Sequence, residues 1–329
     1  MKILVTGGAG FIGLHLINRL LEDDHGITII DNFSRGVRDS ALKELEEKRN
    51  VKLISMDLMD KESVKALEND FDCIIHLAAI IGVQNVLEHS YEVLDKNVAI
   101  LVNMIEAAKR QKALKRFVFA STSEIYAGTL QFFDMKIPTP EDTPLTITPF
   151  DNKRTSYMLS KIYGEALLYQ SGLPFTVIRP HNFYGPRMGM SHVIPELLSK
   201  AYHSGPGAEI EVFSVDHRRS FCYISDAVEM IVELMSNADA AGKSFNIGNE
   251  GPEVTMEQVA GIVLETVGKD QRILPRPATT GSPKRRCPDM SNTFSHIGFR
   301  PRITLEEGIQ RTYEWYREHI FEGREAGAR

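Results

Sequence analysis

Tyr157 and Lys161 stand four residues apart in a segment of helical period, so both side chains leave the same face of a helix. An ammonium beside a phenol favours the phenolate, so this spacing predicts a tyrosine pKa below its usual value of about 10. A phenol of that kind is a general base able to take a proton from an alcohol. Upstream, Ser121-Thr122-Ser123-Glu124 places three hydroxyls and a carboxylate where a short apolar run ends. Open α/β sheets bind their ligands at such strand ends.

A second group is Gly7-Gly8-Ala9-Gly10-Phe11-Ile12-Gly13, directly after the first apolar run. Gly7 suits a tight turn, Gly10 lets the backbone approach a pyrophosphate, and Gly13 lets a helix pack against the strand. The start of that helix offers free N–H groups to phosphates. Asp31 ends the second apolar run, roughly 20 residues further on, as a dinucleotide site requires. Its carboxylate would accept from an adenosine ribose and repel a 2′-phosphate, which favours NAD over NADP. Asp57, after the third run, is placed to reach the adenine. Arg35 bears on the NAD preference, and its plainer reading is a solvated loop charge.

The elements that must position these groups alternate from the first residue. Short β-branched runs at 2–6, 27–31, 51–56, 72–77, 116–121 and 175–180 read as strands buried on both faces. Helical periods fall between them at 11–21, 40–48, 62–67, 91–110 and 156–169. This alternation predicts a doubly wound parallel sheet of the Rossmann type. After Pro180 the pattern loosens, with strands expected at 210–213 and 244–247 and helices at 193–203, 225–235, 255–267 and 304–319. We read residues 1–180 as the dinucleotide-binding domain. Residues 181–329 read as a smaller mixed α/β substrate domain with some segments returning to the sheet, and 321–329 as a polar tail without a packing role.

The 329 residues are 43% hydrophobic and 25% charged, which excludes a disordered or fibrous chain. A net charge of −6 argues against nucleic acid or an anionic membrane as the main partner. The three scattered cysteines fit neither a zinc site nor a disulfide framework, so a reducing compartment, the cytoplasm, is expected. No metal site is expected.

The chain resembles the extended short-chain dehydrogenases/reductases, specifically the NAD-dependent nucleotide-sugar epimerase/dehydratase family. The resemblance rests on Thr6–Gly13, His76-Leu77-Ala78-Ala79, Ser121–Tyr126, the Tyr157…Lys161 pair, Arg179–Arg187, Arg219-Ser220-Phe221…Asp226, Arg285-Arg286-Cys287-Pro288-Asp289 and Leu305–Gly308, in family order. It implies that Thr122 hydrogen-bonds a sugar 4-hydroxyl, that Tyr157 takes its proton, and that Lys161 binds the nicotinamide ribose and tunes Tyr157. Asn97 and the backbone of Leu77, Ala78 and Ala79 would line the cofactor site, completed by Phe11, Ile12, Asn32 and Leu58. Asn182 and Arg219 would hold the substrate diphosphate, with Ser123, Tyr126, Arg187 and Arg286 as further substrate contacts. His181 receives no role beyond structure.

The family's shared step is hydride transfer from sugar C4 to NAD⁺, and the resulting ketone permits epimerisation, dehydration or decarboxylation. Glu124 is the discriminating residue. A carboxylate there resembles the dehydratases and uronate decarboxylases, where C5 or C6 chemistry needs an acid/base group; its plainer role is to accept backbone N–H groups. Arg154 and the Arg285–Asp289 block also resemble the decarboxylase branch, and Arg154 could pair with a sugar carboxylate. Against that branch, 143–153 lacks the expected proline- and glycine-rich approach, and Ser123 stands where 4,6-dehydratases carry an aspartate. The favoured reading is therefore dehydration or decarboxylation of a nucleotide sugar, most simply a UDP-sugar, with a UDP-hexose or UDP-hexuronate 4-epimerase as the alternative. A dehydrogenase that releases NADH and a non-catalytic dinucleotide sensor are weaker competitors. Helices 91–110 and 156–169 carry apolar residues on more than one face, and in this family they commonly pair across a two-fold axis, so a homodimer is expected.

Overall fold

The structure, a computed structural model, describes residues 1–279 and 282–323. Seven parallel strands form the central sheet. Six come in order from the first half: β1 (Lys2–Thr6), β2 (Gly26–Asp31), β3 (Val51–Ser55), β4 (Cys73–His76), β5 (Arg116–Ala120) and β6 (Phe175–Pro180). The seventh, Lys243–Ile247, returns from the second half and pairs with β6, giving the order Lys243–Ile247, β6, β5, β4, β1, β2, β3. In register, Val5 sits beside Ile29 and Ile75, and Ile75 beside Val118. Ile3, Leu4 and Val5 are completely buried, as expected for strands covered on both faces.

The strand order reverses between β1 and β4, and the glycine turn leaves β1 at that point. Helix α1 (Phe11–Glu22) starts at Gly10 with no side chain capping it. The helix Ser90–Lys109 packs along Thr155–Tyr169, which carries Tyr157 and Lys161. The second half adds small sheets over the carboxyl ends of the strands. In one, Arg218–Arg219 lies between Val254–Thr255 and Arg285–Arg286. That pairing sets Arg219 beside Arg286, two residues far apart in sequence.

Two expectations change. The last helix is continued by a π-helical turn, Arg317–Phe321. Phe321 packs, its ring stacking on Tyr202 at 4.8 Å, so the unpacked tail cannot start there; 324–329 lie outside the described residues. No helix among the described residues is long and apolar enough to cross a membrane.

Candidate active site

The glycine turn is built by close approach. Gly7 has φ +73°, and a Cβ there would meet the Ala78 nitrogen at 2.8 Å. A Cβ on Gly13 would meet the Gly7 carbonyl at 2.5 Å, so a side chain at either position would force the turn off β4 or off α1. Asp31 is buried at the end of β2, accepting from the Ala9 N–H at 3.0 Å and the Phe33 N–H at 2.9 Å. A carboxylate has lone pairs left for a ribose after those two bonds. These features fit a dinucleotide: a turn with no room for side chains, an uncapped helix start and an acceptor at the next strand end.

Several expected cofactor residues shape the site through the backbone. Asn97 accepts from the Ile80 N–H at 2.7 Å and donates to the Ile80 carbonyl at 3.0 Å. Its amide is spent on holding the loop after β4, which contains Leu77, Ala78 and Ala79. Asn32 and Asp57 accept from Ser34 and Met59 in local turns, and both are exposed. Leu58 is buried, and its carbonyl accepts from Asn103. Phe11 and Ile12 open α1, half-buried. Arg35 is not merely a solvated charge. It reaches across to the loop after β4, donates to the Ile81 carbonyl at 2.8 Å, and lies near enough to Tyr157 for its charge to act on the phenol.

Thr122 follows β5 in extended conformation and accepts from the Glu124 N–H at 3.2 Å, capping the short turn Ser123–Tyr126. The Tyr157 phenol lies beside the Thr122 hydroxyl, close enough for that hydroxyl to act on its titration. Lys161, one turn along the same helix, donates to the Ala120 carbonyl at 2.7 Å and stands 5.9 Å from the Tyr157 ring centre. The expected acidification of Tyr157 by Lys161 is not found. Burial raises the phenol above its ordinary value, and the opposing influences are the Thr122 hydroxyl and Arg35. Lys161 is itself buried and lowered to about 7, so it is only partly charged at neutral pH.

Glu124 does not serve the backbone. Its carboxylate lies 2.8 Å from Arg286 Nη2, with Arg154 and Arg219 close enough to act on it, and Arg286 first holds it below the usual carboxylate range. Arg286 Nη1 also reaches Ser123 Oγ at 3.5 Å. Burial and the neighbouring Arg286 lower Arg219 to about 10, and Arg219 donates to Ser282 Oγ and the Pro283 carbonyl. Three guanidinium groups around one carboxylate leave excess positive charge, which suits an anionic ligand. Asn182, at φ +43°, donates to the Ser220 carbonyl at 2.9 Å, joining its loop to the segment that carries Arg219. Strained backbone of this kind concentrates at ligand sites.

Two expected substrate contacts are corrected. Tyr126 is buried, with its hydroxyl donating to Asn246 and accepting from Arg179, so it belongs to the interior. Arg187 is buried in an ion pair with Asp39 and donates to the carbonyls of Ala9 and Val37. It clamps the nucleotide loops, with three of its five N–H donors engaged there. His181 is buried against Asn246, in keeping with a structural role. Sequence reasoning missed the buried pair Glu165–Arg179, at 2.7 Å beneath the tyrosine helix. A charged arginine inside the mostly apolar run 175–180 was the available signal.

The model of the NAD dependent epimerase/dehydratase family matches residues 3–248. A UDP-N-acetyl-alpha-D-glucosaminuronate decarboxylase of Bacillus cytotoxicus is 33% identical over 331 residues, covering 96% of this chain and 98% of the relative. A UDP-glucuronic acid decarboxylase of Xenopus tropicalis is 31% identical, covering 97% and 73%. Among solved structures, a UDP-glucuronic acid 4-epimerase from Bacillus cereus with UDP-glucuronic acid and NAD superposes with a TM-score of 0.83. It is 25% identical, with 97% of this chain and 99% of that one covered.

Proposed function

The chain belongs to the NAD-dependent epimerase/dehydratase family, and we propose that within it this protein decarboxylates a UDP-hexuronate through a 4-keto sugar. The observation that carries the reading is the Glu124–Arg286 ion pair, flanked by Arg154 and Arg219, next to the facing Thr122 and Tyr157 hydroxyls. The decarboxylases among the relatives support it.

The turn Gly7–Gly13 and Asp31 would hold NAD, which when bound would supply a reversible hydride acceptor for sugar C4. Thr122 orients the C4 hydroxyl and Tyr157 takes its proton; Lys161, in its charged form, stabilises the phenolate that does so. A ketone at C4 is β to the C6 carboxylate, so the C5–C6 bond can break with its electron pair passing to the C4 enolate as CO₂ leaves. C5 then needs a proton. When Arg286 turns to the substrate anion, Glu124 loses its holding charge, its pKa rises, and it becomes able to deliver that proton. Arg154 pairs with the uronate carboxylate, and Asn182 and Arg219 hold the diphosphate.

We place the protein in the cytoplasm as a homodimer. Tyr91, Val102 and Tyr163, on the two helices expected to pair, are exposed, and light scattering on the purified protein tests that state. Carboxyl-labelled UDP-glucuronate tests the reaction: labelled CO₂ is expected, and conversion without CO₂ would favour the 4-epimerase.

A further inference from the structure

We propose that Glu165 is a positioning residue for the reaction: with Arg179 and Ser121 it seats the Tyr157 helix on the end of β5 and favours the charged form of Lys161. This rests on the functional reading above insofar as that reading uses a charged Lys161.

The argument starts from helix spacing. Glu165 lies four residues after Lys161, so the two side chains emerge one above the other on one face. Both grip consecutive residues at the exit of β5. Lys161 donates to the Ala120 carbonyl at 2.7 Å, and Glu165 accepts from Ser121 Oγ at 2.5 Å. The next residue is Thr122, whose hydroxyl lies beside the Tyr157 phenol. Two adjacent rungs thus fix the register of helix against strand immediately before the reacting pair.

Charge gives the second half. Lys161 is buried among the Phe119 ring, His76 from β4 and Tyr157 of its own helix, and Glu165 is the carboxylate that favours its ammonium form. Without a nearby anion, burial alone would drive a lysine towards neutrality. Glu165 is in turn held by the Arg179 fork, Nε at 3.0 Å and Nη2 at 2.7 Å. Arg179 also donates to the Tyr126 hydroxyl and the Glu141 carbonyl. The network is therefore a buried, partnered carboxylate one helical turn from the lysine, which is more than helix packing requires.

The test is the titration of Lys161, followed by NMR of ¹³C-ε-lysine protein and assigned with Lys161→Arg. In Glu165→Gln the midpoint should fall by about one pH unit or more, and in Glu165→Asp it should stay near wild type. Because Glu165→Gln leaves Arg179 uncompensated, the double variant Glu165→Gln/Arg179→Gln serves as a charge-balanced control. Its midpoint should lie between those of wild type and Glu165→Gln. The alkaline limb of the kcat profile should move in the same order. An unmoved midpoint in a folded Glu165→Gln or double variant would overturn the proposal. The functional reading fails on a different measurement, CO₂ release by the wild type.

Discussion

Arg286 and Glu124 meet at 2.8 Å, joining the hydroxyl turn after β5 to a short strand near the end of the chain. The contact puts the carboxylate to which we assign C5 protonation beside the cation that we propose also meets the substrate. Glu124→Gln keeps the shape and removes the proton carrier. Turnover should fall by about 10²–10⁴-fold, the usual contribution of general acid–base catalysis. Cofactor content, read by absorbance after gel filtration, should not change. A variant with near-normal turnover would assign Glu124 to structure.

Tyr157→Phe removes only the hydroxyl that faces Thr122. Turnover should fall at least about 10²-fold while NAD stays bound. A sensor protein would behave as wild type in this variant, so retained NAD with lost turnover separates an enzyme from a sensor.

Arg187→Ala should act on stability and cofactor retention, and leave the KM for the nucleotide sugar alone. The Arg187–Asp39 pair is buried on both sides, with side chains 7% and 6% exposed. Removing one member of a buried pair costs about 3–5 kcal/mol, since it strands the other charge. Urea unfolding measures the loss; a raised KM at unchanged stability would return Arg187 to the substrate site.

Acid should weaken the fold earlier than its carboxylates alone would. His76 and His181 are buried and lowered to about 3. Between about 6.5 and 3 the unfolded chain binds protons at both positions and the folded chain does not, so stability falls as pH drops through that window. The urea midpoint should be lower at pH 5 than at pH 7.5, and His181→Gln should reduce the difference.

What was legible in the sequence follows covalent spacing. Gly7, Gly10 and Gly13, the Tyr157–Lys161 step and the run Ser121–Glu124 each lie within one turn or one helix face, so chain geometry alone predicts their juxtaposition. The six strands β1 to β6 were legible as segments along the chain for the same reason, because buried parallel strands must be short and apolar. Arg187 and Tyr126 were misread because their partners, Asp39 and Asn246, lie more than a hundred residues away. The acidity expected of Tyr157 failed on a different ground. The spacing to Lys161 is as expected, but burial acts on both groups, and only the packed structure reports it. Arg35, read as a loop charge, is the cation that acts on the phenol in this structure.

The central claim is that C4 is oxidised and then reduced again around the loss of C6. UDP-glucuronate deuterated at C4 tests it directly, with the product sugar examined by mass spectrometry and NMR. The account predicts a UDP-pentose that has lost CO₂ and still carries deuterium at C4, with no reduced cofactor accumulating. A product that keeps its carboxylate, or a UDP-pentose with hydrogen at C4, would contradict it.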